Sequence, residues 1–349
     1  MKAAVWHRKE DIRIEDVPDP DAGPGQVKVR IKACGICGSD LHEYRNGPFL
    51  IPAKPHPLTG RSGPVILGHE FSAEVLATGE GVTRVRPGDR VTVNPLIYCR
   101  NCHYCLRGQH VMCTKLGTVG FAWNGAFAEY GVFPEYGVHR LPDSMGYDSA
   151  AFVEPLAVAV HAVKRSHMNI GASVAVVGAG PIGLLVMQAC RAAGAGRIFV
   201  IEPIEMRRAI AAETGAAAVL DPAQADTGKE IGILTGGLRA DYAFDCVGNQ
   251  ASFDTAVKAT GRRAVLCIVG LAMKPVEVYF NRLWGHEKEL VFSSGYDDEF
   301  PAAINYLADG RVRVEPLITD RIPLDDLVEK GIKELVRRGD RNIKILVKP

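Results

Sequence analysis

Ser173-Val-Ala-Val-Val-Gly178-Ala-Gly180-Pro-Ile-Gly183-Leu-Leu-Val-Met-Gln-Ala-Cys190-Arg-Ala-Ala-Gly194 decides the fold. Val174 to Val177 form an apolar run that meets Gly178-x-Gly180-x-x-Gly183, and apolar residues at helical spacing follow. The stretch reads as strand, tight turn and helix. The first glycine permits the turn, the second lets a diphosphate approach the main chain, and the third packs helix on strand. Phosphate then sits at the helix amino end. Outward from this unit the rhythm repeats in RIFVIE, EMRRAIAAETG, AAVLD, DYAFDCVG, a helix near Ala251 to Ala259, and RRAVLCIVG. Such alternation predicts a mostly parallel sheet covered on both faces. Glu202 ends the next strand, where a carboxylate accepts from both adenosine ribose hydroxyls; this favours NAD, because a 2′-phosphate would meet a negative charge. Arg207 and Arg208 just beyond it are the opposing signal for NADP. The expected cofactor-binding residues are Gly178, Gly180, Pro181, Ile182, Gly183, Glu202, Arg207, Val269 and Gly270.

Ser166 to Cys190 contains no charged side chain and is long enough to raise a membrane-spanning alternative. Its glycines and Pro181 favour the buried strand, turn and helix. The 349 residues suggest about two domains. Charge is balanced, 41 Lys and Arg against 40 Asp and Glu, without the basic footprint of a nucleic-acid or membrane binder; a small-molecule partner is expected. The amino-terminal stretch lacks the apolar core of a secretory signal, so a cytoplasmic location is expected. Before the βα rhythm, short β-rich segments such as Val27 to Ala33, Phe71 to Ala77 and Arg90 to Val93 alternate with Gly/Pro turns. From about Glu289 the chain reverts to mixed short elements, with a helix near Asp325 to Arg337 and a final strand NIKILV.

Nine cysteines in a chain without an export signal point to metal or catalysis rather than bridges. Cys99-x2-Cys102-x2-Cys105-x7-Cys113 offers four thiolates within fifteen residues, enough to close a tetrahedron around zinc with no position open, hence a structural site. An iron-sulfur cluster is the alternative, but the fourth cysteine follows after seven residues and Thr114 stands where that motif has proline. Arg100, His103, Arg107 and Lys115 lie around the thiolates and can offset their charge. Cys34, Cys190, Cys246 and Cys267 sit in apolar surroundings and read as core residues.

Two motifs remain, Cys37-Gly-Ser39-Asp40-Leu-His42 and Gly68-His69-Glu70. CGICGSDLH, GHEF, the four-cysteine lobe and GAGPIG occur in the order of the zinc-dependent medium-chain alcohol dehydrogenases, which the whole chain resembles. CGSDLHEYRNGPFLIP at 37 to 52, HPLTG at 56 to 60, PVILGHEF at 64 to 71 and VEPLAVAVHAV at 153 to 163 resemble the 2,3-butanediol dehydrogenase branch. The resemblance implies an α/β fold: a GroES-like β-rich catalytic domain, discontinuous over 1–155 and 290–349, and a Rossmann NAD-binding domain over 156–289. It implies two zinc ions per chain. One would be catalytic, held by Cys37, His69 and Glu154 with Glu70 as alternate ligand, and one structural in the cysteine lobe. It implies hydride transfer between a secondary alcohol and NAD, with protons leaving through Ser39 and His42 and Asp40 in support. His161, on the face of Glu154, is expected to pack or cap rather than ligate. Sorbitol-type relatives carry an arginine in the segment matching Phe292-Ser-Ser-Gly-Tyr296, and threonine dehydrogenases have threonine in place of Ser39. A small vicinal diol such as 2,3-butanediol, or acetoin, is therefore favoured over polyols or threonine, and a zinc-independent quinone-reductase-like enzyme is the remaining alternative. A homodimer or homotetramer is expected.

Overall fold

A computed structural model describes residues Met1–Pro349. The chain folds into two compact units, one of Met1–Glu154, Phe300–Ala308 and Ile318–Pro349, the other of Pro155–Glu299 and Asp309–Leu317. No helix is long and apolar enough to cross a membrane.

The first unit is built on the alternation of Gln26–Gly35, which buries Val27, Val29 and Ile31 as a half-buried strand should. It pairs antiparallel with Glu70–Thr78 on one side and with Tyr130–Pro134 and Lys344–Lys348 on the other. Arg90–Val93 and Val138–Arg140 extend this seven-stranded sheet beyond Glu70–Thr78, and Ile318–Pro323 joins the carboxy-terminal strand in parallel. Lys2–Arg8, Asp11–Asp16 and Val65–Ile66 form a separate three-stranded sheet. Trp6, Leu67, Phe71, Phe127 and Phe133 fill the core with the inward faces of the strands. The register opposes Gly35 to Glu70 and also to Leu346, and Ile36 N–H donates to Ile345 O at 3.1 Å. Three strand ends, far apart in sequence, thus converge just before Cys37.

The second unit is a six-stranded parallel sheet whose strands have the spatial order Ala218–Leu220, Arg197–Ile201, Ser173–Val177, Ala240–Asp245, Thr260–Ile268, Glu289–Phe292. Helices Pro181–Ala192, Glu205–Glu213, Thr227–Leu234 and Gln250–Ala259 connect them. Phe199, Phe244 and Leu266 are buried in its sheet, as expected for strands covered on both faces. The stretch that raised the membrane alternative is strand Ser173–Val177 and helix Pro181–Ala192. Strand Glu289–Phe292 is hydrogen-bonded to Thr260–Ile268, so the sheet runs three residues past the boundary read at 289. The helical stretch expected near 325–337 is a succession of a 3-10 turn at Leu324–Asp326, a π-turn at Leu327–Ile332 and an α-turn at Lys333–Arg338.

Candidate active site and nucleotide turn

Helix α1 (Gly38–Asn46) begins on Cys37, whose side chain accepts from the third helical N–H while the Asp40 carboxylate accepts Cys37 N–H at 2.9 Å. This reciprocal cap fixes the first turn. Cys37, His69 and Glu70 place one ligand atom each within 4.8 Å of one another. Donors of this kind sit about 2.0 to 2.3 Å from zinc, and one thiolate, one imidazole and one carboxylate sum with Zn(II) to zero charge. His69 and Glu70 are 4% and 1% exposed. The Asp40 Oδ1 and His69 Nδ1 atoms are buried without hydrogen bonds and face each other at 3.6 Å, so a buried carboxylate lies behind the imidazole, as is usual for metal-binding histidines. Phe121 covers the ring with centroids 5.1 Å apart. Burial raises the pKa of the Cys37 thiol, Glu70 adds to the rise and His69 opposes it.

Ser39 Oγ lies 3.2 Å from His69 Nε2. His42 follows one turn later on α1, half-buried and on the same helical side. Glu154 is buried near the start of helix Val153–Arg165, outside the compact three-atom set. His161 stands apart from the metal ligands: its Nδ1 is 3.2 Å from Glu299 Oε1, which also accepts from Lys164 Nζ at 2.9 Å. Burial would raise the pKa of Glu299, but His161 and Lys164 outweigh it and bring it down to about 2.

Two groups near α1 gave no sequence signal. Lys344, 3% exposed, donates through Nζ to Glu70 Oε2 at 2.5 Å and to Ile36 O at 3.1 Å. Burial disfavours its charge, but Glu70 and Cys37 prevail and its pKa is raised. Glu43, fully buried at the last turn of α1, accepts the N–H groups of Phe49, Leu50 and Ile51 and so holds the following loop. Lysine at an ordinary strand start and glutamate at a helix end are too common to mark either from sequence.

In the cysteine lobe, the Sγ atoms of Cys99, Cys102, Cys105 and Cys113 lie within 4.8 Å of one another. Cys99 and Cys105 are 3.9 Å apart, close to the ~3.8 Å edge of a zinc-thiolate tetrahedron. Amides of Cys105 and Thr114 bring the Cys102 thiol down to about 5. Burial, helped by Cys102, takes Cys105 up to about 12. Arg107 Nη1 is 2.6 Å from His103 Nδ1, and the Arg100 guanidinium lies 5.5 Å from the Tyr136 ring centroid. Cys34, Cys190 and Cys267 are fully buried and Cys246 partly so.

In the second unit, Gly178 has φ +91°, Gly180 caps the helix and Pro181 is its first residue. A Cβ on Gly183 would stand 1.8 Å from Gly178 O, so only glycine fits there. Glu202 Oε2 accepts Ala179 N–H at 2.6 Å, inside the glycine turn, and Oε1 accepts Ile204 N–H at 3.0 Å. Arg207 Nη1 lies 3.9 Å from where a Gly180 Cβ would be. Arg208 is engaged elsewhere, donating to Glu202 O and Pro203 O and pairing with Asp221 at 3.2 Å. Val269 and Gly270 both donate to Asp245 O, and Gly270 packs against the backbone of Val247 and Gly248.

Residues 23–143 match the alcohol dehydrogenase GroES-like domain, and residues 181–309 the zinc-binding dehydrogenase domain. The chain is 42% identical over 352 residues to (R,R)-butanediol dehydrogenase of Bacillus subtilis, covering all of both proteins. It belongs to the zinc-dependent medium-chain alcohol dehydrogenases. Another relative, sorbitol dehydrogenase of Bacillus subtilis, is 33% identical over all of this chain and 97% of that protein. The crystal structure of 2R,3R-butanediol dehydrogenase from Bacillus subtilis superposes with TM-score 0.94 at 41% identity, covering 100% of this chain and 99% of that one. As an alcohol dehydrogenase of this family, the protein is a zinc-dependent oxidoreductase acting on CH–OH donors. Both donor sets fit the ion: the four thiolates of the lobe can close a tetrahedron, and thiolate, imidazole and carboxylate beside α1 are the donor types of a zinc site that keeps a position open.

Proposed function

We propose that the enzyme interconverts a small vicinal diol and its hydroxyketone, 2,3-butanediol and acetoin, with NAD as hydride acceptor. The substrate reading is carried by Phe292-Ser-Ser-Gly-Tyr296, which offers no arginine to a sugar alcohol. Full-length likeness to a butanediol dehydrogenase supports it. The catalytic zinc is assigned to Cys37, His69 and Glu154, with Glu70 as alternate ligand, all in the discontinuous unit of Met1–Glu154, Phe300–Ala308 and Ile318–Pro349. The second zinc is assigned to Cys99, Cys102, Cys105 and Cys113. A bound zinc supplies a Lewis acid that lowers the pKa of the substrate hydroxyl. The buried Asp40 carboxylate, 3.6 Å from His69 Nδ1, supports the imidazole by its charge. Ser39 Oγ, beside His69, takes the hydroxyl proton and passes it towards the His42 imidazole, one helical turn further on. A bound NAD would supply the acceptor for the hydride that leaves the carbinol carbon.

Nucleotide binding is assigned to the unit of Pro155–Glu299 and Asp309–Leu317, through Gly178, Gly180, Pro181, Ile182, Gly183, Glu202, Arg207, Val269 and Gly270. Glu202 favours NAD: its carboxylate is buried against the glycine turn, where a 2′-phosphate would face its charge. The exposed Phe280, Trp284 and Phe292 support contact with a second copy of the chain, as a cytoplasmic homodimer or homotetramer. The test is NADH formation from butanediol stereoisomers, sorbitol, threonine and simple secondary alcohols. We expect the highest kcat/KM on a butanediol isomer; failure on both 2,3-butanediol and acetoin refutes the substrate assignment. Turnover that survives removal of zinc from all but the cysteine lobe refutes the catalytic metal.

A further inference from the structure

We infer that Lys344 is a positioning residue that holds the Glu70 carboxylate back from the catalytic metal, keeping a position open for the alcohol. The inference rests on the ligand assignment proposed above. Glu70 is the natural competitor for that position, being a buried carboxylate with an oxygen within 4.8 Å of the Cys37 and His69 donor atoms. A carboxylate so placed is drawn onto a divalent cation unless something else satisfies it. Lys344 does so: its ammonium sits 2.5 Å from Glu70 Oε2 and is itself tied to the Ile36 carbonyl at 3.1 Å. The anchor is rigid, because Lys344 opens the strand Lys344–Lys348, whose Leu346 and Val347 pair with Gly35 and Cys34. Space for the pair comes from Gly35, where a Cβ would meet Glu70 Oε2 at 2.5 Å and Lys344 Cδ at 3.3 Å. The charges point the same way: Cys37, Glu154, Glu70 and the buried Asp40 behind His69 outnumber the two positive charges of a zinc ion, and Lys344 is the buried cation set against Glu70 among them.

The test compares the zinc holoenzyme and its cobalt(II)-exchanged form in the parent and in Lys344→Met. In the variant, we expect zinc loss from this site to a chelator to slow by roughly tenfold, the scale on which partners behind a ligand act. The cobalt d–d absorption should weaken as coordination rises from four to five. Turnover should drop while KM for NAD stays at the parental value. Adding Glu70→Gln to Lys344→Met should bring all these readouts back towards the parent, and Lys344→Arg, which keeps the cation, should resemble the parent. A lysine that only fills space predicts the reverse, faster zinc loss with an unchanged cobalt spectrum, and that result overturns the inference. Should Lys344→Met fail to fold, Lys344→Leu carries the same readouts, since it too removes the donor to Glu70 while filling the apolar space of the stem. A parent that holds zinc only in the cysteine lobe sinks the ligand assignment itself. A parent with both zincs and a variant indistinguishable from it sinks only the role of Lys344.

Discussion

The two metal-ligand sets of the first unit are built in opposite ways. Cys99, Cys102, Cys105 and Cys113 come from one short excursion of chain, in which 3-10 turns at Cys105–Arg107 and His110–Met112 replace packed secondary structure. Exposed Leu106 and Met112 show how little apolar burial this lobe has, so the metal takes the place of a core. Cys37 comes from one segment and the adjacent His69 and Glu70 from another, backed by Lys344 from the last strand, and Glu70 opens a strand of the sheet whose inward faces form the core. In the lobe a metal would hold the polypeptide; beside α1 the polypeptide is arranged to hold a metal.

This contrast predicts opposite phenotypes for single ligand losses. Cys37→Ala should lower kcat/KM by at least about 10³-fold, or ~4 kcal/mol of transition-state stabilisation. It should remove one zinc per chain and leave the thermal unfolding midpoint close to the parental value. Cys102→Ser should also cost one zinc, but its main effect should be on folding. A structural zinc contributes on the order of 10 kcal/mol of binding free energy, part of which is folding free energy, so a loss of more than ~3 kcal/mol in denaturant unfolding is expected. The folded fraction should keep most of its turnover. A Cys102→Ser protein that is stable but inactive, or a Cys37→Ala protein that unfolds, would break the comparison. Metal analysis, calorimetry and steady-state kinetics on the two variants decide it.

A middle-sized effect tests how far the dispersed site depends on its scaffold. Glu43 receives three successive main-chain N–H groups at the far end of the helix that Cys37 opens. Glu43→Gln keeps the shape but turns an amide NH2 towards some of those donors, which should cost about 1.5 to 3 kcal/mol. Zinc content should stay at two per chain, with faster hydrogen exchange at Phe49 to Ile51. Parental exchange at those amides would remove Glu43 as the anchor of the loop.

The same distinction explains what could be read before the fold was known. The lobe was legible because its geometry is local: fifteen residues contain every ligand, and spacing alone sets the tetrahedron. The glycine turn was legible for the same reason, and the steric demand at Gly183 comes from Gly178, five residues away. Beside α1 the motifs CGSDLH and GHE pointed to candidate ligands only through resemblance, and of that set the fold gathers Cys37, His69 and Glu70 while Glu154 lies outside it. Lys344 and Glu43 stayed hidden, since the first reaches its partner through strand pairing across 274 residues and the second works on main-chain groups that carry no residue identity. The end of the parallel sheet was misplaced for a related reason: ELVF at 289–292 is too short for periodicity to tell from a loop, and only its pairing with Thr260–Ile268 makes it a strand.

The smallest effect comes from adding one methyl group to each site. Gly108, in the lobe, closes a 3-10 turn with φ +75° and has no atom near a would-be Cβ. Gly108→Ala should therefore cost only the left-handed backbone penalty, about 1 to 2 kcal/mol, with turnover and zinc content unchanged. Gly35 has an ordinary backbone, so its substitution carries no such penalty, but its Cβ would press on Glu70 Oε2 and Lys344 Cδ. Because Lys344 is fixed by the Ile36 carbonyl and Glu70 by Lys344, neither can retreat without moving the cluster. Overpacking of this kind costs about 1 to 3 kcal/mol. Gly35→Ala and Gly108→Ala should thus lose similar stability, while Gly35→Ala alone loses turnover. Equal turnover in the two variants would mean that the Glu70–Lys344 pair can shift freely, and that the dispersed site tolerates displacement as well as the lobe does.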